Sequence, residues 1–314
     1  MSDQPSPQSL RTEAIETLLI EKKLLTSAAV DTVLTTFSEQ VGPMNGAKLV
    51  ARAWVDEGFK ARLLEDATTI IAEYGFEGGL VPGVTISAYL VHPLIGLWGK
   101  EWLDRGYANC RITSPLYDKE LFEVKSNIVD ETHAHTTLIR SNGVVSANAE
   151  IAITKNLPKP PISRADNLAE EDFTPPHATK EVWNELKSMG CKAFKFTWGE
   201  EDPLIYLRDV SDLPDLLQPR EGGFSNLCFL LGCSNWSLSG NAYMNPWVHV
   251  QTISQNYRAV SYGTPLIAEM QVNSVFERKG HEFVDVGVNL FGVEDEKCVM
   301  TINLIAIYRL RGSQ

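Results

Sequence analysis

The chain has 314 residues, 44% hydrophobic and 22% charged, which is enough apolar material for about two folded domains. Its net charge of −12 argues against nucleic acid or an anionic membrane as a partner, because both require a basic surface. The polar start "MSDQPSPQSL" lacks the pattern of a secretory signal, and no apolar run reaches the roughly 20 residues of a membrane span. We therefore expect a cytoplasmic protein.

The cysteines are few and scattered. None of them belongs to a C-x-x-C motif, so the sequence favours neither a disulfide framework nor a zinc knuckle. We expect reduced thiols, no bound metal and no cofactor. The five are Cys110, Cys191, Cys228, Cys233 and Cys298.

The first 76 residues form a separate compositional region. Apolar residues recur at helical spacing from Arg11 to about Tyr74, which predicts amphipathic helices and no strands. Asp56 is a plausible N-cap for the last helix, and Pro43 is placed to open the one before it. We therefore expect an all-helical N-terminal arm over residues 1–76.

A different pattern begins near Gly78. An apolar stretch from about Val84 to Leu103 predicts a buried helix, and stretches of period two follow it. The "SNG" of residues 141–143 predicts a hairpin turn before a strand that alternates from Ala147 to Ile153. We expect a first α+β unit over residues 77–154.

A similar pattern closes the chain after a linker, residues 155–178, which is rich in proline and charge. Strands are predicted around residues 268–272, 284–290 and 300–308, with turns at "RKG" and "GVEDEK" between them. We expect a second unit over residues 179–314. The repeated order of helix and then antiparallel strands indicates an internal duplication.

Longer stretches carry a family resemblance. "GGLVPGVTISAYLVHPLIGLWGKEWLDRG" (78–106) resembles the first half of MaoC-like double-hotdog proteins, and "NPWVHVQTISQNYRAVSYGTPLIAEMQV" (245–272) resembles the second half. The resemblance covers about residues 78–310 and implies an α+β double hotdog, in which each long helix is wrapped by antiparallel sheet. It further implies a homo-oligomeric enzyme that acts on an acyl thioester, by hydration, dehydration or hydrolysis.

The helical arm has a resemblance of its own. "EAIETLLIEKKLL" (13–25) and "VGPMNGAKLVARAW" (41–54) resemble the nitrile hydratase α subunit, over about residues 9–76. That family binds cobalt or iron through a C-x-x-C-S-C claw, and no such claw occurs in this sequence. The nearest pair, Cys228 and Cys233, is expected to be two buried apolar residues of a helix. Residues 11–74 of the arm are then expected either to cap the open edge of the first unit, within one chain or in a homodimer, or to bind a partner protein.

The resemblance to hotdog enzymes points to the starts of the two central helices, where a helix N-terminus can polarise a thioester carbonyl. Hydratases of this fold add an Asp and a His just before the helix. This sequence has acidic residues there but no histidine, which puts the hydratase reaction in doubt.

Two residues are candidate catalytic groups: Asn235, an amide within an apolar helix, and His249, in the strand "WVHVQ". "VPG" at 81–83 leaves room for a ligand near the helix amides. A structural role is the alternative for each residue. The candidate substrate-binding residues are Pro82, Gly83, Thr85, His92, Ser225 and Asn226.

His133 and His135 share one face of a predicted strand, and we expect a solvated edge strand there rather than a metal site. Two further functions remain open. The chain could be a nitrile-hydratase-related subunit or accessory protein without its own metal centre. It could also be a non-catalytic hotdog that binds a hydrophobic small molecule.

Overall fold

The computed structural model describes residues 79–198, 214–218, 220–244 and 247–310, together with the single residue Gly58. The chain divides after Glu77 into two compact units, and every element below belongs to the unit Gly78–Gln314. Apart from Gly58, the predicted helical arm lies outside the described residues, so its helices stay a prediction. Within the described part of the chain, no helix is long and apolar enough to cross a membrane.

The first half of the unit consists of two consecutive helices and four strands. The helix predicted over residues 84–103 is interrupted at Gly99, whose φ of 57° ends the first helix. The elements are α1 (Gly83–Trp98), α2 (Lys100–Arg105), β1 (Gly106–Ile112), β2 (Phe122–Ile128), β3 (His133–Arg140) and β4 (Val145–Ile153).

The second half repeats one long helix followed by four strands, has no counterpart of α2 in its described residues, and carries a further helix and a further strand before its long helix. A three-residue 3-10 helix, Asp215–Leu217, also precedes that helix. The elements are α3 (Lys180–Met189), β5 (Phe194–Thr197), α4 (Leu227–Asn241), β6 (Val248–Asn256), β7 (Pro265–Arg278), β8 (His281–Gly292) and β9 (Cys298–Arg309).

The nine strands of the described residues form one antiparallel sheet with the order β2-β3-β4-β1-β6-β9-β8-β7-β5. Read outwards from the centre, the halves run β1-β4-β3-β2 and β6-β9-β8-β7, which is the same order twice. The central pair β1 and β6 is antiparallel and joins the two halves. The fold is therefore a double hotdog, and the predicted duplication is confirmed.

The turns confirm the sequence signals that predicted them. The "SNG" turn separates β3 from β4, and the "RKG" turn joins β7 to β8. Lys279 and Gly280 both have positive φ, 54° and 77°, as a type I′ hairpin requires. Both hairpins keep the apolar alternation on one face of the sheet.

The core lies between the two long helices and the inner face of the sheet. Helix α1 packs against the strands of the first half and α4 against those of the second, and the two helices also contact each other. The strand residues that were predicted to face inward are buried, among them Ala147, Val286 and Leu304. Both helices are therefore apolar on most of their circumference.

The segment predicted as a linker is attached to the outer face of the sheet. The carboxylate of Glu269, on β7, is only 1% exposed and accepts hydrogen bonds from the Ser163 hydroxyl (2.6 Å) and from the backbone amides of Arg164 (2.8 Å) and Asp166 (3.3 Å). Burial alone would raise the pKa of Glu269. These donors and the charge of Arg164 instead hold it below its ordinary value.

The two ends of the sheet differ. At one end, β5 pairs with residues 265–268 of β7, and the Glu269 attachment follows directly. At the other end β2 pairs with β3, and no other strand of the described residues pairs with it. Its outer edge is therefore open over the part of the chain that the structure describes.

Candidate functional site

A β-bulge determines where His249 points. The register between β6 and β9 shifts between His249 and Gln251, so β6 carries one extra residue at this point. Residues three apart in a regular strand face opposite sides, but the bulge turns His249 and Thr252 to the same inner side. Both side chains are buried, and His249 Nε2 is hydrogen-bonded to Thr252 Oγ1.

The surroundings of His249 keep its imidazole uncharged. Burial lowers the pKa of His249 to about 4, so the ring is neutral at pH 7. Its second nitrogen, Nδ1, is buried and has no hydrogen-bond partner among the described residues. A neutral imidazole has one donor and one acceptor nitrogen. Since Nε2 uses one of these roles in the contact with Thr252, Nδ1 keeps the other role, as acceptor or donor, unused.

The imidazole lies against the first residue of α1. A Cβ atom at Gly83 would come within 2.5 Å of His249 Cγ and 2.8 Å of Ile112 Cδ1. Only glycine therefore fits this contact between the two halves of the chain. The sequence predicted that the glycine would leave room for a ligand. The His249 ring instead occupies the space that a Gly83 side chain would take.

The start of α1 has no side-chain cap. Pro82 is the N-cap residue and is exposed, and its carbonyl accepts hydrogen bonds from the amides of Thr85 and Ile86 at 3.0 Å each. The amides that precede the first helical hydrogen bond have no partner within a helix, and they carry the positive end of its dipole. The start of α1 can therefore accept an oxygen that develops negative charge.

The start of α4 is organised differently. The side chain of its N-cap residue, Asn226, accepts a hydrogen bond from the amide of Phe229 at 2.9 Å. The hydroxyl of Ser225 is buried and has no hydrogen-bond partner among the described residues. Thr85 Oγ1 lies 3.5 Å from Cys228 Sγ, so the starts of the two helices meet.

The structure thus brings most of the predicted site residues to one place, which we call the helix junction. It is built from Gly83 and Thr85 of the first half and Asn226, Cys228 and His249 of the second. Pro82 directly precedes α1, and Ser225 directly precedes Asn226, the N-cap residue of α4.

Two predicted site residues lie elsewhere. His92 is nine residues beyond Gly83, and Asn235 nine residues beyond Asn226, which is about 14 Å along each helix. Asn235 Oδ1 is buried without a hydrogen-bond partner in the described chain. The next residue, Trp236, contacts the ring of Phe196 at a centroid distance of 5.4 Å. His92 is buried within α1.

His133 and His135 are exposed and share the outer face of β3, as predicted. The expectation of an edge strand was wrong, because β3 lies between β2 and β4. His133 Nδ1 is 3.1 Å from the Asp130 carboxylate. A shallow depression of the outer face is lined by residues that include Tyr107, His133 and Glu150, and none of the helix-junction residues lines it.

The donor set does not fit the metal centre that the arm's resemblance implies. All five cysteines are buried, and burial raises the pKa of Cys228 to about 11, which favours its thiol form at pH 7. Over the described ranges, no group of three or more His, Cys, Asp or Glu residues could hold a metal ion. Cys228 and Cys233 lie buried on α4, as predicted.

Sequence reasoning missed Thr252, although it contacts His249. The period-two pattern placed the two residues on opposite faces, and only the bulge overturns that placement. It also missed the contact of Cys228 with Thr85, which depends on how the two helices pack. The sequence "HVQT" carries no signal for the contact, because a regular strand would place its histidine and threonine on opposite faces.

The sequence relatives match the N-terminal part of the chain. The family described as nitrile hydratase, alpha chain, matches residues 6–90, and so extends into α1. The alpha subunit of the high-molecular-weight cobalt-containing nitrile hydratase of Rhodococcus rhodochrous is 52% identical over 68 residues, which are 22% of this chain and 34% of that subunit. The chain thus spans about a third of the length of the curated relatives it matches.

The solved structures that resemble this chain cover about three-quarters of it. A MaoC domain protein of Chloroflexus aurantiacus aligns over 75% of this chain and 84% of its own, with 11% identity and a TM-score of 0.48. A Mycobacterium tuberculosis protein with a double hotdog fold aligns over 74% and 83%, with 12% identity and a TM-score of 0.46. We assign the fold from the strand order and the two central helices, independently of these similarities.

Proposed function

We propose that this chain is a double-hotdog enzyme that acts on an acyl thioester or a related acyl substrate, by hydrolysis or by hydration and dehydration. One observation carries the proposal. A neutral, buried imidazole, one nitrogen of which has no partner among the described residues, lies against the start of a central helix that has no side-chain cap. A partly charged helix end and a neutral base side by side are the two groups that such reactions need.

The roles follow from the chemistry of the helix junction. The acyl carbonyl oxygen is held at the start of α1, where the free amides stabilise the negative charge that develops on it. His249 with its hydrogen on Nε2 donates to Thr252 and presents the lone pair of Nδ1. In hydrolysis, water adds to the carbonyl carbon, its proton passes to Nδ1, the carbon–sulfur bond breaks, and the proton reaches the departing thiolate.

The test is a panel of saturated and 2-enoyl acyl-CoA esters, followed by thiol release for hydrolysis and by loss of enoyl absorbance for hydration. On a substrate that is turned over, we expect His249→Gln to lower kcat/KM by about 100-fold or more. His135→Gln, which removes an exposed imidazole, is the control and should retain full activity. Full activity of a folded His249→Gln variant would refute the assignment of His249.

Asn235 remains a separate candidate, supported by its buried Oδ1, which has no hydrogen-bond partner in the described part of the chain. If it binds the substrate, Asn235→Ala should weaken ligand affinity or turnover about ten- to a hundredfold, and His133→Ala should not. A loss of stability with unchanged affinity of the folded fraction would instead give Asn235 a structural role.

A second candidate function rests on the match of residues 6–90: a nitrile-hydratase-related subunit or accessory protein that binds a partner through residues 11–74. Metal analysis and nitrile hydration assays of the purified chain separate the two proposals. Stoichiometric cobalt or iron with nitrile turnover would overturn the thioester proposal. Tight binding of acyl-CoA without turnover, and without metal, would favour a non-catalytic hotdog.

A further inference from the structure

The outer edge of β2, which is open over the described residues, carries complementary charges. Glu123 and Lys125 lie two apart on the outer face of this strand and are 66% and 61% exposed. Their 3.5 Å contact within one chain contributes little, because both side chains are solvated. Exposed apolar residues flank them, Leu121 before the strand and Ile128 and Val129 at its far end.

Such an edge is usually protected in monomeric proteins. A free strand edge is a template for pairing, and charges of one sign or a covering segment normally block it. At the opposite end of the sheet, the short strand β5 pairs with residues 265–268 of β7, and Arg164 of the attached segment donates to the carbonyl oxygen of Met270 at 3.0 Å. Charges of alternating sign do not block antiparallel pairing of β2 with itself, because a second copy presents the opposite order.

We infer that β2 pairs antiparallel with β2 of a second copy of this chain, centred on Val124, so that one sheet continues across two molecules. A two-fold axis perpendicular to the sheet keeps the inner face of one copy on the same side as the inner face of the other. Each inner residue must then pair with an inner residue of the second copy, so the axis passes through a residue of β2 and not between two residues. Centring on Glu123 or on Lys125 places two like charges opposite each other. Centring on Val124 places Glu123 of each copy opposite Lys125 of the other.

The inner face agrees with this register. Val124 lies opposite Val124 of the second copy, and Phe122 lies opposite Ser126, so no charge is turned towards the core. A register centred on Ser126 forms no ion pair, and it places Glu123 of one copy opposite Val129 of the other. An edge contact of one short strand is small compared with the roughly 1,200 Å² of stable complexes, so we expect a reversible dimer that depends on protein concentration.

The test is sedimentation velocity of the full chain, from low micromolar to several hundred micromolar, with the variants E123K, K125E and E123K/K125E. We expect each single reversal to raise the dissociation constant about tenfold or more, since it creates two like-charge pairs. The double variant should regain the original affinity. An equimolar mixture of E123K and K125E should also dimerise, because each copy then supplies the charge that the other lacks.

The controls are E277K and R278E, which make the same charge changes at exposed positions at the end of β7 and should leave the dimer intact. Circular dichroism and thermal melts establish that every variant is folded. A wild-type chain that remains monomeric at the highest concentration overturns the inference. So does a dimer that both single reversals leave unchanged, or a double variant that does not recover.

Discussion

The two halves of the molecule share a strand order but begin their central helices differently. Helix α4 begins after Asn226, whose side chain satisfies the amide of Phe229, and its first residue, Leu227, is buried. Helix α1 begins after Pro82, without a side-chain cap, and its first residue is Gly83. The imidazole of His249, which lies against the start of α1, comes from the second half of the chain.

The difference shows how a duplicated fold can divide one task between its copies. The second half has satisfied the start of its own helix and supplies a side chain to the start of the other. The first half supplies the free helix amides and the glycine that admits the imidazole. We therefore expect one site per chain at the helix junction rather than two equivalent sites.

The largest effect that would test this comparison is the pH dependence of stability. His249 has a pKa of about 4 in the folded chain, compared with an ordinary value of 6.5. As the pH falls below 6.5, His249 of the unfolded chain takes up a proton before His249 of the folded chain does. The contribution of His249 to the free energy of unfolding is therefore fully present above pH 6.5 and is lost progressively towards pH 4. The loss that His249 causes is about 3 kcal/mol.

The measurement is the free energy of unfolding by urea at a series of pH values, for the wild type and for His249→Gln. The wild type should lose more stability than the variant between pH 6.5 and 4, and His135→Gln should behave as the wild type. If the glutamine variant does not fold, the titration of His249 in the wild type by NMR gives the same pKa directly. Parallel curves, or an ordinary pKa, would contradict the buried neutral imidazole.

The next effect separates two glycines of the same helix. A methyl group at Gly83 meets the His249 ring and Ile112, whereas a methyl group at Gly96 meets nothing within 4 Å. We expect Gly83→Ala to destabilise the chain by about 1–3 kcal/mol through overpacking. Gly96→Ala should stabilise it by about 0.5–1 kcal/mol through helix propensity. Thermal melts of both variants measure the difference. A Gly83→Ala variant as stable as the wild type would contradict the close contact of Gly83 with the His249 ring.

Local patterns predicted most of the fold. The alternation from Ala147 to Ile153 and the turns "SNG" and "RKG" specify strands and hairpins within a few residues, so the duplication could be predicted from the order of these local signals alone. Pairing of β1 with β6 at the centre of the sheet is a contact between distant segments. No local pattern predicts which strands of the two halves pair.

The site was less predictable, because its contacts are distant in sequence. The positions around Pro82 and Asn226 could be selected, since helix starts have recognisable residues. The bulge that turns His249 towards Thr252 has no signature in a period-two pattern. Nor could the sequence predict that Glu269 would be buried, because the segment that supplies its donors lies more than 100 residues earlier.

The smallest effect compares the two helix starts directly. Asn226→Ala removes the side-chain acceptor of the Phe229 amide, and we expect a loss of about 1 kcal/mol in the free energy of unfolding. Asn226→Ser, which keeps an oxygen at the cap position, should lose much less. Neither change should alter thioester turnover, because the start of α4 carries no part of the proposed reaction.

The reciprocal change installs a cap where α1 has none. Pro82→Asn loses the restriction that proline places on the unfolded chain, which costs about 0.4–1 kcal/mol of stability. It gains a side-chain cap that contributes a similar free energy, so the free energy of unfolding by urea should show almost no net change. Turnover should nevertheless fall, since the new side chain competes with the substrate carbonyl for the same amides. If Pro82→Asn turned over substrate at the wild-type rate while Asn226→Ala did not, the reacting carbonyl would belong at the start of α4, and the roles assigned to the two halves would be exchanged.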